Sequence, residues 1–314
     1  MAENNLLETI KIPSYPPQSI FPSDVLKWMK YNALKYPRQA LKLMQMNKYF
    51  IYNEFPYFCI QDLVSPFIEN NDEWFIKRLN GEWESGIEFN DLPNNIWLTD
   101  SLIIDKINFI PQLLSKIIVF DIKELSLTSK NDYETMHFSD FKILTSNGFN
   151  LIQRVYFTKI IILDEINDEI VPFDEILDQL PNVTFLSLNC KYLQSNASKI
   201  IPKLILSKLQ RLILIKVPDS FDFETLLNAL KEKPDLYVRL NFKDVLSMNY
   251  CSQLQQFIDK IIDTGLTEYF PPRFDFPGIT HESSDALKKL RRKYKIYMFN
   301  KKLVADNFVD TEIE

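Results

Sequence analysis

The sequence predicts an α/β chain in which a short N-terminal helical segment precedes a solenoid of strands alternating with helices. The leading observation is a period. Phe157-Thr-Lys-Ile160-Ile-Ile162, Val183-Thr-Phe-Leu186-Ser-Leu188, Leu209-Gln-Arg-Leu212-Ile-Leu214 and Asp235-Leu-Tyr-Val238-Arg-Leu240 share one apolar pattern. Their central residues 160, 186, 212 and 238 are each 26 apart. Helix-like pieces fall between them, and a unit that pairs one strand with one helix exposes an apolar flank that only its neighbours can cover. A doubly wound open sheet shares the alternation but rarely keeps a constant period. The third observation is glycine. The chain has 5 in 314 residues, where average usage gives about 22. Phosphate-cradling loops need several glycines close together, so an enzyme built on such a loop is disfavoured.

Taken in order, residues 1–20 are polar and then proline-rich (Pro13, Pro16, Pro17), and read as an extended lead-in. Residues 21–65 read as a helical domain. Phe21-Pro22-Ser23-Asp24 is a helix start, with proline in the first turn and Asp24 facing the positive end of the dipole. Pro37 restarts the chain, and residues 38–50 carry Leu41, Leu43, Met44, Met46 and Phe50 on a wide apolar face. Residues 66–92 read as a linker, 93–300 as the repeat domain and 301–314 as a tail. Two looser matches extend the repeats upstream, Pro93-Asn-Asn-Ile96-Trp-Leu98 and Ile122-Lys-Glu-Leu125-Ser-Leu127, at steps of 29 and 35. The intervening helices are expected at Phe138–Asn147, Pro172–Leu180, Asn196–Leu206, Phe221–Lys231 and Tyr250–Ile262.

Composition narrows the function classes. Lys+Arg 36 against Asp+Glu 42 gives a net charge of −6, so no global field draws the chain to nucleic acid. Cys59, Cys190 and Cys251 are too far apart for a metal motif and odd in number for a disulfide framework. They read as small buried hydrophobes. The N-terminus lacks a signal-peptide pattern and apolar runs stay strand-sized, so a cytoplasmic or nuclear protein is expected, with no membrane partner. No catalytic residue, metal or cofactor is expected: His137 and His281 stand alone, and Asp164-Glu165 with Asp168-Glu169 lacks calcium-loop spacing. The basic run Lys288-Lys289-Leu-Arg291-Arg292-Lys293-Tyr-Lys295 reads as a solvated helix face closing the array, or as a nuclear signal or nucleic-acid patch.

Phe21-Pro22-Ser23-Asp24-Val25-Leu26, followed by Leu41-Lys-Leu43-Met44-Gln-Met46-Asn47-Lys48-Tyr49-Phe50, resembles a divergent F-box. Phe21, Asp24, Asn47 and Tyr49-Phe50 depart from that motif's usual Leu, Glu, Cys and Arg-Trp. The repeats resemble leucine-rich repeats, although Glu165, Lys191, Val217 and Lys243 stand where an Asn or Cys is usual. The combination is similar to the F-box proteins with irregular leucine-rich-like repeats that are abundant in nematodes. That resemblance implies a non-catalytic receptor that docks a Skp-family adaptor and cullin ligase core and holds a protein substrate. Phe21, Pro22, Val25, Leu26, Met29, Leu41 and Met44 would anchor the adaptor; the alternative is that they cap the first repeat. Strand alternation places Lys159, Ile161, Phe185, Ser187, Arg211, Ile213, Tyr237 and Arg239 on the substrate-binding face. That face is either open or, as the Ile-rich runs suggest, covered on both sides.

Overall fold

Apolar residues at every second position of the later segments dictate half-buried strands, and the computed structural model forms them. It describes residues 22–35, 58–66, 73–129, 133–146, 151–189, 197–219, 221–243, 245–265 and 269–309. The chain is mixed α/β, most strands pair in parallel, and it divides into two compact units, Met1–Ile152 and Gln153–Glu314.

The first unit opens with α1 (Ser23–Lys35), which carries Asp24 in its first turn. The predicted second helix, residues 38–50, lies outside the described residues. Strand β1 (Phe58–Val64) follows, then β2 (Trp74–Arg78) and β3 (Trp83–Ile87), both antiparallel. The expected linker 66–92 therefore holds two sheet strands. Their turn carries Gly81 at φ 89°, a conformation that costs glycine nothing, and Arg78 and Glu82 bond across it. β4 (Ile96–Ile104) pairs in parallel with β1 along one edge. Along its other edge it takes β5 (Ile117–Phe120) at Ile96–Leu98 and β6 (Glu124–Thr128) at Ser101–Ile104. The helix α2 (Ile110–Lys116) precedes β5; β7 (Glu134–His137) and α3 (Phe138–Ser146) end the unit.

The second unit begins with β8 (Arg154–Thr158) and β9 (Ile160–Leu163). Then α4 (Phe173–Asp178), β10 (Phe185–Asn189), α5 (Ala197–Leu206), β11 (Arg211–Val217), α6 (Phe223–Ala229) and β12 (Tyr237–Phe242) alternate. Last come α7 (Met248–Thr264), β13 (Arg273–Asp275) and α8 (His281–Val309). The helix runs on through residues 301–309, where a tail was expected. The unit's sheet order is β8-β10-β11-β12-β13, all parallel.

Register tests the period directly. Leu186 pairs with Leu212 and Leu212 with Val238, two true steps of 26. The third expected step fails, because Leu186 pairs with Val155 and not with Ile160. Lys159 has φ 57°, a left-handed kink that separates β8 from β9 and takes Ile160 off the ladder. Upstream, Leu125 pairs with Leu102, while Ile96 pairs with Ile117, so the two looser matches are not successive repeats.

The alternate positions Val155, Leu186, Leu188, Leu212, Leu214, Val238 and Leu240 are 0–1% exposed and form the core row. Helix α7 covers part of this face: Tyr250 meets Phe242 at 6.0 Å and Phe257 meets Phe274 at 6.1 Å between ring centroids. Lysines tie successive units. Lys203 of α5 reaches Asp178 and Asp174 of α4, at 2.5 and 3.7 Å. Lys233 donates to the carbonyls of Leu204 and Ile205 and to that of Ser207, closing the C-terminal end of α5.

Candidate binding face

Among the expected adaptor-binding residues, Phe21, Leu41 and Met44 lie outside the described residues. Pro22 precedes α1 and is exposed; Val25, Leu26 and Met29 lie on it. Val25 is 37% exposed and Met29 half-buried. Trp28 and Tyr31, at 67% and 72% exposure, join Val25 at three-residue spacing, so one helix face presents a stripe of apolar side chains to solvent. Neither Trp28 nor Tyr31 is among the expected adaptor-binding residues.

In the second unit, the strand face opposite the core row carries six of the eight predicted substrate-binding residues. Register sets them in rows. Arg154, Phe185, Arg211 and Tyr237 are successive partners across four strands. Behind them run Tyr156, Ser187, Ile213, Arg239 and Arg273. Five of the eight predicted residues, Phe185, Arg211, Ile213, Tyr237 and Arg239, thus share the face at partial or full exposure. Ser187 is on the face but only 7% exposed. Lys159 and Ile161 leave the rows because of the kink at Lys159; Arg154 and Tyr156 occupy their places.

The first row is held by rings and guanidinium. The Arg211 guanidinium lies over both Phe185 and Tyr237, at 5.1 and 4.9 Å from the ring centroids, and Tyr156 packs on Phe185 at 4.7 Å. Such cation–π contacts contribute about 0.5–1 kcal/mol each at exposed sites and leave the guanidinium edge to bond a ligand. The face is therefore neither bare nor covered: aromatic rings shield its middle while arginines remain at its surface.

At its β12–β13 end the row opens into a cavity of about 230 Å³, lined by Tyr237, Phe270, Arg273, Lys288, Arg291, Arg292 and Lys295. The last four sit at i, i+3, i+4 and i+7 on α8, so a single helix face supplies them. The neighbouring stripe, Leu287, Leu290 and Tyr294, is buried and fixes the helix. Phe270 anchors the floor, 5.4 Å from both the Tyr237 and Tyr294 rings. Arg291 donates to the Pro272 carbonyl at 3.4 Å. Burial, the largest influence, holds the Arg291 guanidinium below the usual arginine range; Arg273 and Arg239 push the same way, and Tyr237 and Asp275 oppose them. Asp275 binds Arg239 at 2.6 Å and Arg273 at 3.0 Å, and Asp285 binds Lys288 at 2.9 Å. Six cationic side chains thus face two carboxylates in a chain of net charge −6.

Of the two described cysteines, Cys59 is half-buried and burial pushes its thiol up to about 12, so it stays a neutral thiol near pH 7. Cys251 hydrogen-bonds the Pro277 carbonyl. His281 sits at the start of α8, 3.4 Å from Asp285. Among the described residues no cluster of three His, Cys, Asp or Glu could hold a metal ion. No described helix is long and apolar enough to cross a membrane.

Compared with known proteins, the chain matches no family model, no curated protein and no solved structure.

Proposed function

We propose that the chain is a non-catalytic substrate-recognition subunit of a Skp–cullin–F-box ubiquitin ligase. The N-terminal helical segment docks the adaptor and the 26-residue repeats hold a protein substrate. One observation carries the binding half of this reading: four parallel strands in register set Arg154, Phe185, Arg211 and Tyr237 in a row at the surface. Arginine and aromatic side chains are the residues that interfaces concentrate at their energetic centres. The adaptor half is supported by the solvent-facing Val25, Trp28 and Tyr31 on α1, which suit a helix laid against a partner's apolar groove.

The test is co-purification of the full-length chain with a Skp-family adaptor. A fragment ending near residue 70 is unsuitable, since β1 belongs to the sheet of the first unit. Wild type is expected to retain the adaptor, and Val25→Asp with Trp28→Ala to lose it while keeping the same thermal midpoint. No retention by wild type overturns ligase docking and leaves an interaction scaffold without it.

A further inference from the structure

The cavity at the α8 end of the face has a chemistry that substrate capture in general does not require. Its wall combines two rings, Tyr237 and Phe270, with five cationic side chains, and no carboxylate lines it among the described residues. Arg273 and Lys288 are each partly neutralised by an aspartate. Arg291 is half-buried, bonded only weakly to a carbonyl, and its charged neighbours are Arg273 and Arg239 with Asp275, a carboxylate already held by both of those arginines. A guanidinium so placed does not shed its proton, so the arrangement is relieved by a bound anion.

The choice of anion follows from number and shape. A carboxylate brings one charge and two oxygens, enough for one arginine fork. A phosphate monoester brings about −1.5 to −2 charge at pH 7 and three acceptor oxygens, which several converging cations can share. The cavity of about 230 Å³ also exceeds what a phosphate alone fills, and the remaining wall is aromatic: the half-buried Tyr237 tilted against the buried Phe270, with Lys295 lying 6.0 Å from the Phe270 centroid. A flat ring attached to the phosphate would pack there. The basic run on α8 divides accordingly. Lys288, Arg291, Arg292 and Lys295 line the cavity, whereas Lys289 and Lys293 do not.

From this geometry we infer that the cavity between β12, β13 and α8 is a binding site for a phosphate monoester carried on a flat ring. A mononucleotide and a phosphorylated phenol side chain both present that chemistry. The inference goes beyond adaptor docking and does not depend on it.

The experiment is calorimetric titration of the full-length chain with phenyl phosphate, adenosine monophosphate and inorganic phosphate, in chloride at constant ionic strength. One ring phosphate is expected to bind at one site about tenfold tighter than inorganic phosphate. Tighter binding of adenosine monophosphate identifies a nucleotide site, and tighter binding of phenyl phosphate a phenol-phosphate site. Lys288→Gln, Arg292→Gln and Lys295→Gln together replace exposed side chains only. The triple variant is expected to keep its thermal midpoint and lose about tenfold or more in affinity. The inference is overturned if neither ring phosphate binds wild type, if the folded triple variant binds as wild type does, or if inorganic phosphate binds as tightly as both.

Discussion

In the first unit the strand register shifts at β1 and polar residues are buried beside the shift; in the second the pairing from β10 to β12 holds register until a shift between Ile215 and Val217, and its core row is apolar throughout. Strand β1 shows what irregularity requires. Between Ile60 and Asp62 it shifts register against both neighbours, so Asp62 faces Lys77 on β2 and Ser101 on β4. Asp62 is 7% exposed, accepts from the Ser101 hydroxyl at 2.7 Å and pairs with the Lys77 ammonium at 3.4 Å. Thr99 donates to the Ile60 carbonyl at 3.0 Å. Nearby, Asp121 accepts from the Trp97 indole at 2.9 Å, and Ser65 from the Asp105 backbone at 2.6 Å. A bulge leaves polar groups that must be satisfied locally, and these side chains satisfy them. In the second unit the spacing of 26 residues keeps like against like in the core row from β10 to β12, and polar contacts sit on the opposite strand face, where Asp275 holds Arg239 and Arg273, and at the helix ends, where Lys203 and Lys233 act. Equal spacing keeps the core row hydrocarbon, while the shift in β1 is accompanied by buried hydrogen bonds.

That contrast can be broken at several points. The largest expected effect is on the regular core row: Leu212→Ala removes a side chain 1% exposed, and is expected to lower stability by about 2–5 kcal/mol. Urea denaturation with an unchanged m-value checks it; a loss under 1 kcal/mol would deny that the row is packed. Next comes Asp62→Ala, which leaves Ser101 and Lys77 without their shared acceptor and is expected to cost about 1–3 kcal/mol. Restoring Lys77→Met in that background should recover part of the loss, as it removes the orphaned charge.

A smaller effect is expected at the cap of α6. Asp222 accepts from the Thr225 backbone at 3.0 Å and from the Thr225 hydroxyl, and that side-chain bond, followed by the backbone bond, holds its carboxyl below the usual range. Asp222→Ala is expected to cost about 1 kcal/mol. A depressed folded value means the stabilisation is full above the unfolded value of about 3.9 and fades as pH falls through the folded one. Comparing wild type and variant by thermal melts at pH 6 and below pH 3 checks the sign: the difference should shrink at the acid end. The smallest change is expected from Trp74→Phe. The buried Trp74 indole N–H has no hydrogen-bond partner, and its ring packs on Phe89 and Phe109 at 5.6 and 5.7 Å. Phenylalanine keeps an apolar ring while removing the unsatisfied donor, so the urea midpoint should move little; a large loss would point to the indole's volume as the dominant contribution.

Much of the second unit was legible because equal spacing of apolar residues is a local signal repeated. Helices α3 to α7 fall within a few residues of their expected places. The kink at Lys159 was not legible, since nothing about a lysine between Thr158 and Ile160 announces a positive φ. The hairpin of β2 and β3 did leave a trace, Asn80-Gly81 between two aromatic-rich runs, which is a turn signature. The cationic cavity was legible only in half. The spacing of Lys288, Arg291, Arg292 and Lys295 puts four charges on one helix face, but a solvated face and a pocket wall have the same spacing.

The alternation of strand and helix, the 26-residue step between β10, β11 and β12, and the side chains of those strands that share a face follow from local residue spacing. Those are consequences of the two-residue period of a strand and the 3.6-residue period of a helix, and they need no distant partner. Local spacing does not specify that β8 and not β9 continues the ladder, that Ser187 is buried while Arg211 is not, or that α8 brings its charges to Tyr237, Phe270 and Arg273. The first depends on a positive φ at Lys159, and the others on where a chain segment returns after dozens of residues. That is set by the packing of whole elements against one another, which periodicity within a single element does not encode.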